Sequence, residues 1–154
     1  MKTIIVGGFS GIAQGIIKSL DKDKDSVIYT YNSTFSKKLN KFRGFKLDIS
    51  SKKSIDKFSK IKEVSNWGTL LIMPATQKPI GLFSETDPRE WANSIELNFI
   101  NQMYLINRLY KIRSLSEKNK KIILWAGGGT NNATKCYSAY TISKIAQIKM
   151  AELL

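Results

Sequence analysis

The sequence contains no histidine and a single cysteine, Cys136. The first absence excludes histidine-based catalytic triads and histidine-ligated metal sites, and no metal is expected. One cysteine excludes an internal disulfide and suits a reducing compartment. No apolar run is long enough to span a bilayer. The N-terminal run Thr3-Ile4-Ile5-Val6 stops at Gly7-Gly8, too soon for a signal-peptide core. A cytoplasmic protein with no membrane partner is therefore expected. Acidic residues are also scarce, 12 against 25 lysines and arginines, for a net charge of +13. Such a surplus makes nucleic acid a candidate partner. The lysines are scattered, however, and arginine, the usual base reader, stands only at Arg43, Arg89, Arg108 and Arg113. No zinc spacing or RNA-recognition signature accompanies them. A solvated lysine-rich surface accounts for the charge better than a specific nucleic-acid site. A length of 154 residues is most simply one domain and can bury a core.

What is present is an alternation of strands and helices. Lys2–Gly7 is a short apolar run ending in glycines and reads as a buried strand. From Gly11, the residues Ile12, Ala13, Ile16, Ile17 and Leu20 have helical period, and the polar stretch Asp21–Ser26 ends that helix. Val27–Tyr31 is a second strand, rich in β-branched and aromatic residues, and Gly44–Leu47 a third. Ser50 or Ser51 caps a helix carrying Ile55, Phe58 and Ile61. Trp67–Met73 is a fourth strand, stopped by Pro74. Asp87-Pro88-Arg89-Glu90 is a helix start, with Asp at the N-cap, Pro next and Glu third. That helical stretch runs to about Ser114, with a break near its middle. Lys121–Trp125 is a fifth strand closed by Gly127-Gly128-Gly129, and a last helix begins near Tyr137. This alternation implies right-handed crossovers and a doubly wound parallel α/β sheet of about five strands, with helices on both faces.

The residues able to do chemistry fall at the carboxyl ends of these strands. Gly7-Gly8-Phe9-Ser10-Gly11-Ile12-Ala13 joins the first strand to the first helix. Gly7 permits the sharp turn, Gly11 lets backbone approach a pyrophosphate, and Ala13 allows close helix–strand packing. The helix start offers free N–H groups and a positive dipole end to phosphate. Far downstream, Tyr140 and Lys144 are four residues apart, so they share one helix face. A phenol is a poor acid, with a free pKa near ~10. A neighbouring ammonium favours its charged form and makes the pair a usable proton donor and acceptor.

These motifs together resemble the short-chain dehydrogenase/reductase family, over the whole chain from Met1 to Leu154. Gly7-x-x-x-Gly11-x-Ala13 is similar to its cofactor turn, Thr-Gly-x-x-x-Gly-x-Gly, with Val6 at the threonine position and Ala13 at the last glycine. Leu47-Asp48-Ile49-Ser50 resembles the segment whose aspartate contacts the adenine ring. Asn98, in Glu96-Leu97-Asn98, matches the family's helix asparagine, and Tyr140 and Lys144 match its catalytic pair. The resemblance implies a Rossmann-like NAD(P)-binding domain that transfers hydride between the nicotinamide and a small carbonyl or secondary alcohol. Tyr140 would give or take the proton on oxygen. Lys144 would hold the ribose hydroxyls and depress the phenol pKa, and Asn98 would position a water in the proton relay. The implied cofactor contacts come from Gly7, Ser10, Gly11, Ile12 and Ala13, then Asp48, Ile49 and Ala75, with Tyr140 and Lys144.

The chain departs from the family pattern in three places. After the fourth strand the family has Asn-Asn-Ala-Gly, whereas this chain reads Met73-Pro74-Ala75-Thr76, where only Ala75 matches. The family's fifth strand ends in a serine that polarises the substrate oxygen. By spacing to Tyr140 that position falls on Ala126 or Gly127, and no hydroxyl occurs until Thr130. Losing one such donor commonly costs about two to three orders of magnitude in rate. The chain also ends on a helix, without the later strands and substrate lid of its relatives, so a truncated form with low activity is expected. The end of the second strand, Tyr31-Asn32-Ser33, carries no acid for a ribose 2′-OH. Asn32, Ser33, Lys37 and Lys38 suit a 2′-phosphate instead, so NADP is preferred over NAD, although Lys37 and Lys38 read equally as exposed loop charges. Relatives form oligomers through the helices at 87–114 and 136–154, which implies homo-oligomerisation. Three functions follow in order: a short-chain oxidoreductase, a catalytically impaired nucleotide-binding remnant of one, and a basic nucleic-acid-binding module.

Overall fold

The computed structural model describes residues 1–20, 26–33, 39–116, 118–132 and 134–154. Lys37 and Lys38 lie outside them, as does most of the polar stretch after the first helix. Strands β1 (Lys2–Val6), β2 (Val27–Tyr31), β3 (Arg43–Lys46), β4 (Trp67–Ile72) and β5 (Lys121–Leu124) form one sheet. Their order is β3-β2-β1-β4-β5, and every pairing is parallel. Parallel strands carry helices on both faces and so must be apolar on both. The two central strands obey this: β4 is buried at all positions, and Ile4, Ile5 and Val6 of β1 are fully buried.

Side chains alternate between the two faces with period two. Ile4, Val6, Ile28, Leu70 and Ile72 pack with Ile55 and Phe58 of α2 (Lys52–Ser59) and with Leu105, Ile106 and Leu109 of α4 (Asn101–Tyr110). Ile5, Val27, Tyr29 and Leu71 point the other way, onto Ala13 and Ile17 of α1 (Gly11–Ser19). Each fully buried aliphatic side chain contributes about 1.5–3 kcal/mol. The remaining α-helices among the described residues are α3 (Pro88–Ile95) and α5 (Ser138–Leu153). Because strand order reverses between β1 and β4, their carboxyl ends diverge and open a crevice.

Several boundaries differ from the sequence reading. Of the two candidate caps of α2, Ser51 is used, accepting from Ser54 N at 3.2 Å. Asp87 caps α3 as expected, with Oδ1 accepting from Arg89 N at 2.7 Å. The stretch from 87 is interrupted by a π-helical turn, Glu96–Ile100, and α4 ends at Tyr110 rather than Ser114. Past Tyr110 the chain folds back onto β4, where Ser114 N donates to Trp67 O at 2.9 Å. Trp67 Nε1 in turn donates to Leu109 O at 2.8 Å. β3 runs from Arg43 to Lys46 rather than Gly44 to Leu47, and Met73 and Trp125 lie just beyond their strands. Proline at 74 has no N–H to extend the ladder past Met73.

Candidate active site

Gly7 has φ +79°. A Cβ there would also stand 2.8 Å from Pro74 Cγ, so only glycine fits on both counts. Its amide donates to Thr30 Oγ1 at 3.0 Å, and Gly8 N donates to Thr30 O at 2.8 Å, pinning the turn to the end of β2. Ser10 caps α1, its Oγ accepting from Ala13 N at 3.1 Å. The amides of Gly11 and Ile12 have no intrahelical acceptor at this position. Gly11 faces open space in the Cβ direction, Ile12 is exposed, and Ala13 is buried against the sheet. The helix start therefore presents donors and a positive dipole end outward, as an anion site requires.

Beside this turn lies a cleft of about 420 Å³. It brings together Gly7, Asn32, Ser33, Asp48, Ile49 and Ala75, which sequence reading had assigned to the cofactor from four separate segments. Ser10, Gly11, Ile12 and Ala13 are not among its lining residues. Asp48 Oδ1 is committed to a local turn, accepting from Ser50 N at 2.9 Å and Ser50 Oγ at 2.7 Å. Its second carboxylate oxygen is not used in that turn.

Asn98 is fully buried in the π-helical turn, a feature that recurs at functional sites. Its carboxamide brackets Thr76: Oδ1 accepts from Thr76 N and Nδ2 donates to Thr76 O, both at 2.8 Å. The loop after β4 is thus fixed by a side chain from across the crevice. The widened turn also offers the Asn98 backbone carbonyl, which accepts from Gln147 Nε2 at 2.7 Å. Gln147 Oε1 in turn accepts from Lys144 Nζ at 3.0 Å. The glutamine side chain itself spans the distance from Lys144 to the Asn98 carbonyl.

Tyr140 and Lys144 stand on α5 as the spacing predicts, with Nζ 5.7 Å from the Tyr140 ring centroid. They do not line the 420 Å³ cleft. Tyr140 borders a second cavity of about 200 Å³, together with Gln77, Thr134, Tyr137 and Thr141. Burial holds the Lys144 ammonium below the ordinary lysine pKa. Gly127 packs directly under the pair, since a Cβ there would lie 2.8 Å from Tyr140 Cε1 and 3.0 Å from Lys144 Cγ. Neither Thr130 nor Ser138, the hydroxyls that could stand in for the missing serine, is uncommitted. Thr130 Oγ1 donates to Gly127 O at 2.9 Å, and Ser138 Oγ accepts from Trp91 Nε1 at 3.0 Å. Thr141 Oγ1, by contrast, is buried on the wall of the second cavity and has no partner among the described residues.

Sequence reading missed Gln77, Gln102, Thr141 and Gln147. Gln147 follows Tyr140 and Lys144 at helical spacing, and that stripe on one face was the available signal.

A family model described as short chain dehydrogenase matches residues 2–154. The chain belongs to the short-chain dehydrogenase family. No curated protein matches it. Among solved structures, a short-chain dehydrogenase/reductase from Burkholderia vietnamiensis superposes with a TM-score of 0.83 at 17% identity, over 99% of this chain and 74% of its own. A short-chain dehydrogenase/reductase from Burkholderia multivorans with bound NADP gives 0.79 at 18% identity, over 97% and 70%. The aldohexose dehydrogenase of Thermoplasma acidophilum gives 0.81 at 18% identity, over 96% and 57%. At these identities the likeness establishes the doubly wound fold that this short-chain dehydrogenase shares with them.

Proposed function

We propose that the chain is an NAD(P)-binding oxidoreductase acting on a small carbonyl compound or secondary alcohol. The observation that carries this reading is the hydrogen-bonded connection from Lys144, beside Tyr140, through Gln147 to Asn98 and the loop after β4, whose Pro74 packs against Gly7 of the glycine turn. The residues fit a dinucleotide. Gly11 leaves room above the start of α1, the cleft beyond Gly7 offers Asn32, Ser33 and Asp48 beside the apolar Ile49 and Ala75, which suits an adenosine, and Lys144 retains donors beyond the one given to Gln147. Gly11 and Ile12 would hold the diphosphate, Asp48 and Ile49 the adenine, Ala75 the nicotinamide end, and Lys144 the ribose hydroxyls.

The bound nicotinamide supplies or accepts hydride. Tyr140 gives or takes the proton at the substrate oxygen, from a cavity whose lining includes the polar side chains of Gln77, Thr134, Tyr137 and Thr141. Lys144 places positive charge beside the phenol ring. NADP is preferred, because the end of β2 brings Asn32 and Ser33, rather than an acidic residue, to the wall of the cleft. The neighbour with bound NADP supports this choice. Exposed Ile142, Ile145 and Ile148 along α5 suit a homo-oligomer contact.

A second reading, a nucleotide-binding protein with slow turnover, is favoured by one observation. Glycine rather than a hydroxyl residue lies against Tyr140 at position 127. Fluorescence titration with NADPH and NADH tests what the two readings share. Saturable binding, tighter for NADPH, is the expected result. Salt-dependent DNA binding with no response to either nucleotide would overturn both.

A further inference from the structure

A lysine buried without an anion is costly, because its ammonium loses water and gains no opposite charge. Lys144 is 3% exposed. Among the described residues no carboxylate lies within ion-pair distance of its Nζ. Tyr140 is the titratable side chain facing it, while the π-helical turn, α4 and the loop after β5 present Asn98, Gln102 and Gly127, all neutral. What meets the ammonium is an amide oxygen, Gln147 Oε1, at 3.0 Å.

That oxygen cannot exchange places with its own nitrogen. Gln147 uses both amide hydrogens, donating to Asn98 O at 2.7 Å and to Gln102 Oε1 at 2.5 Å. Gln102 is aligned the same way, its Nε2 donating to Pro74 O at 2.8 Å and to Leu97 O at 3.4 Å. Turning either amide over would set donor against donor at one end and acceptor against acceptor at the other. Both glutamines are 1% exposed, so neither mismatch could be relieved by solvent. The polarity of the whole chain, from ammonium to the loop after β4, is therefore fixed.

We propose that Gln147, oriented by Gln102, is a positioning residue that clamps the Lys144 ammonium beneath Tyr140 and links it, through its own carboxamide, to the Asn98 carbonyl. The inference rests on the reading of Tyr140 and Lys144 as the proton-handling pair and deepens it. A carboxamide has no proton to release near neutral pH, so the clamp places charge without conducting protons. A proton leaving the Tyr140–Lys144 pair must depart by another route.

The test is a pH titration of lysine 13Cε and 15Nζ resonances in the nucleotide-free full chain. Gln147→Met keeps the side-chain length and removes the acceptor. Hydrogen bonds to charged groups contribute about 1.5–3 kcal/mol, so the Lys144 pKa should fall by about one to two units. Gln102→Leu should move it the same way by less, since Gln147 keeps Asn98. An unchanged Lys144 pKa in Gln147→Met overturns the clamp. If that variant does not fold, the native protein decides. Slow solvent exchange of the Gln147 side-chain amide supports the proposal, and exchange as fast as a surface glutamine's contradicts it. No nucleotide enters these measurements. Failure to bind NADPH would thus sink the functional reading and leave the clamp standing, and an unmoved pKa would do the reverse.

Discussion

Tyr140→Phe is expected to lower carbonyl-dependent oxidation of NADPH by about 10²–10⁴-fold while nucleotide affinity changes little. The substitution removes one oxygen and keeps the ring. That ring packs over Gly127 and lies 5.7 Å from Lys144 Nζ, so the geometry of Lys144 should persist. Among the described residues no hydrogen bond restrains the phenol oxygen, and its loss should leave thermal stability nearly unchanged. In the proposed binding mode affinity would rest instead on the turn at Gly7 and the start of α1. A steady-state assay following nicotinamide absorbance, paired with a binding titration, separates the two effects. Equal turnover in Tyr140→Phe and the native chain would remove the phenol from the chemistry.

Gly127→Ser should make matters worse, although the family pattern suggests a hydroxyl here as a repair. Its Cβ would stand 2.8 Å from Tyr140 Cε1, 3.3 Å from Tyr140 Cζ and 3.0 Å from Lys144 Cγ. Of these neighbours the Lys144 stem is held in place by the bond from Nζ to Gln147. Overpacking of this kind costs about 1–3 kcal/mol. For a chain of this size each kcal/mol lowers Tm by about 2–4 °C. Displacing Tyr140 by about 1 Å would also cost about 10²-fold in rate. Gly127→Ala serves as the control, because it introduces the same Cβ without the hydroxyl. Faster turnover in Gly127→Ser at an unchanged Tm would show that the ring yields freely and that only the donor was missing.

The sheet was readable because local and global signals agree. The apolar runs of β1 and β4, the N-cap at Asp87 and the glycine turn each point to one arrangement. The break foreseen in the stretch from 87 is the π-helical turn at Glu96–Ile100. The polar interior was less legible. Gln102 and Gln147 are residue types usually found in water, and only the pairing of two distant helices makes them a connected buried network. Pro74 likewise reads as a strand stop. That it also covers Gly7 and makes glycine obligatory there depends on β1 and β4 lying side by side. The assignment of Asp48 to adenine could not anticipate that Ser50 would take one of its oxygens.

Whether the opening turn of α1 grips a dinucleotide is tested most directly by recording backbone amide spectra of the intact chain during NADPH titration. The account predicts saturable shifts at Gly11 and Ile12, at Asp48 and Ile49, and at Gly127 and Tyr140, all following one binding curve. Shifts scattered over surface lysines and abolished by salt, or none at saturating nucleotide, would contradict it.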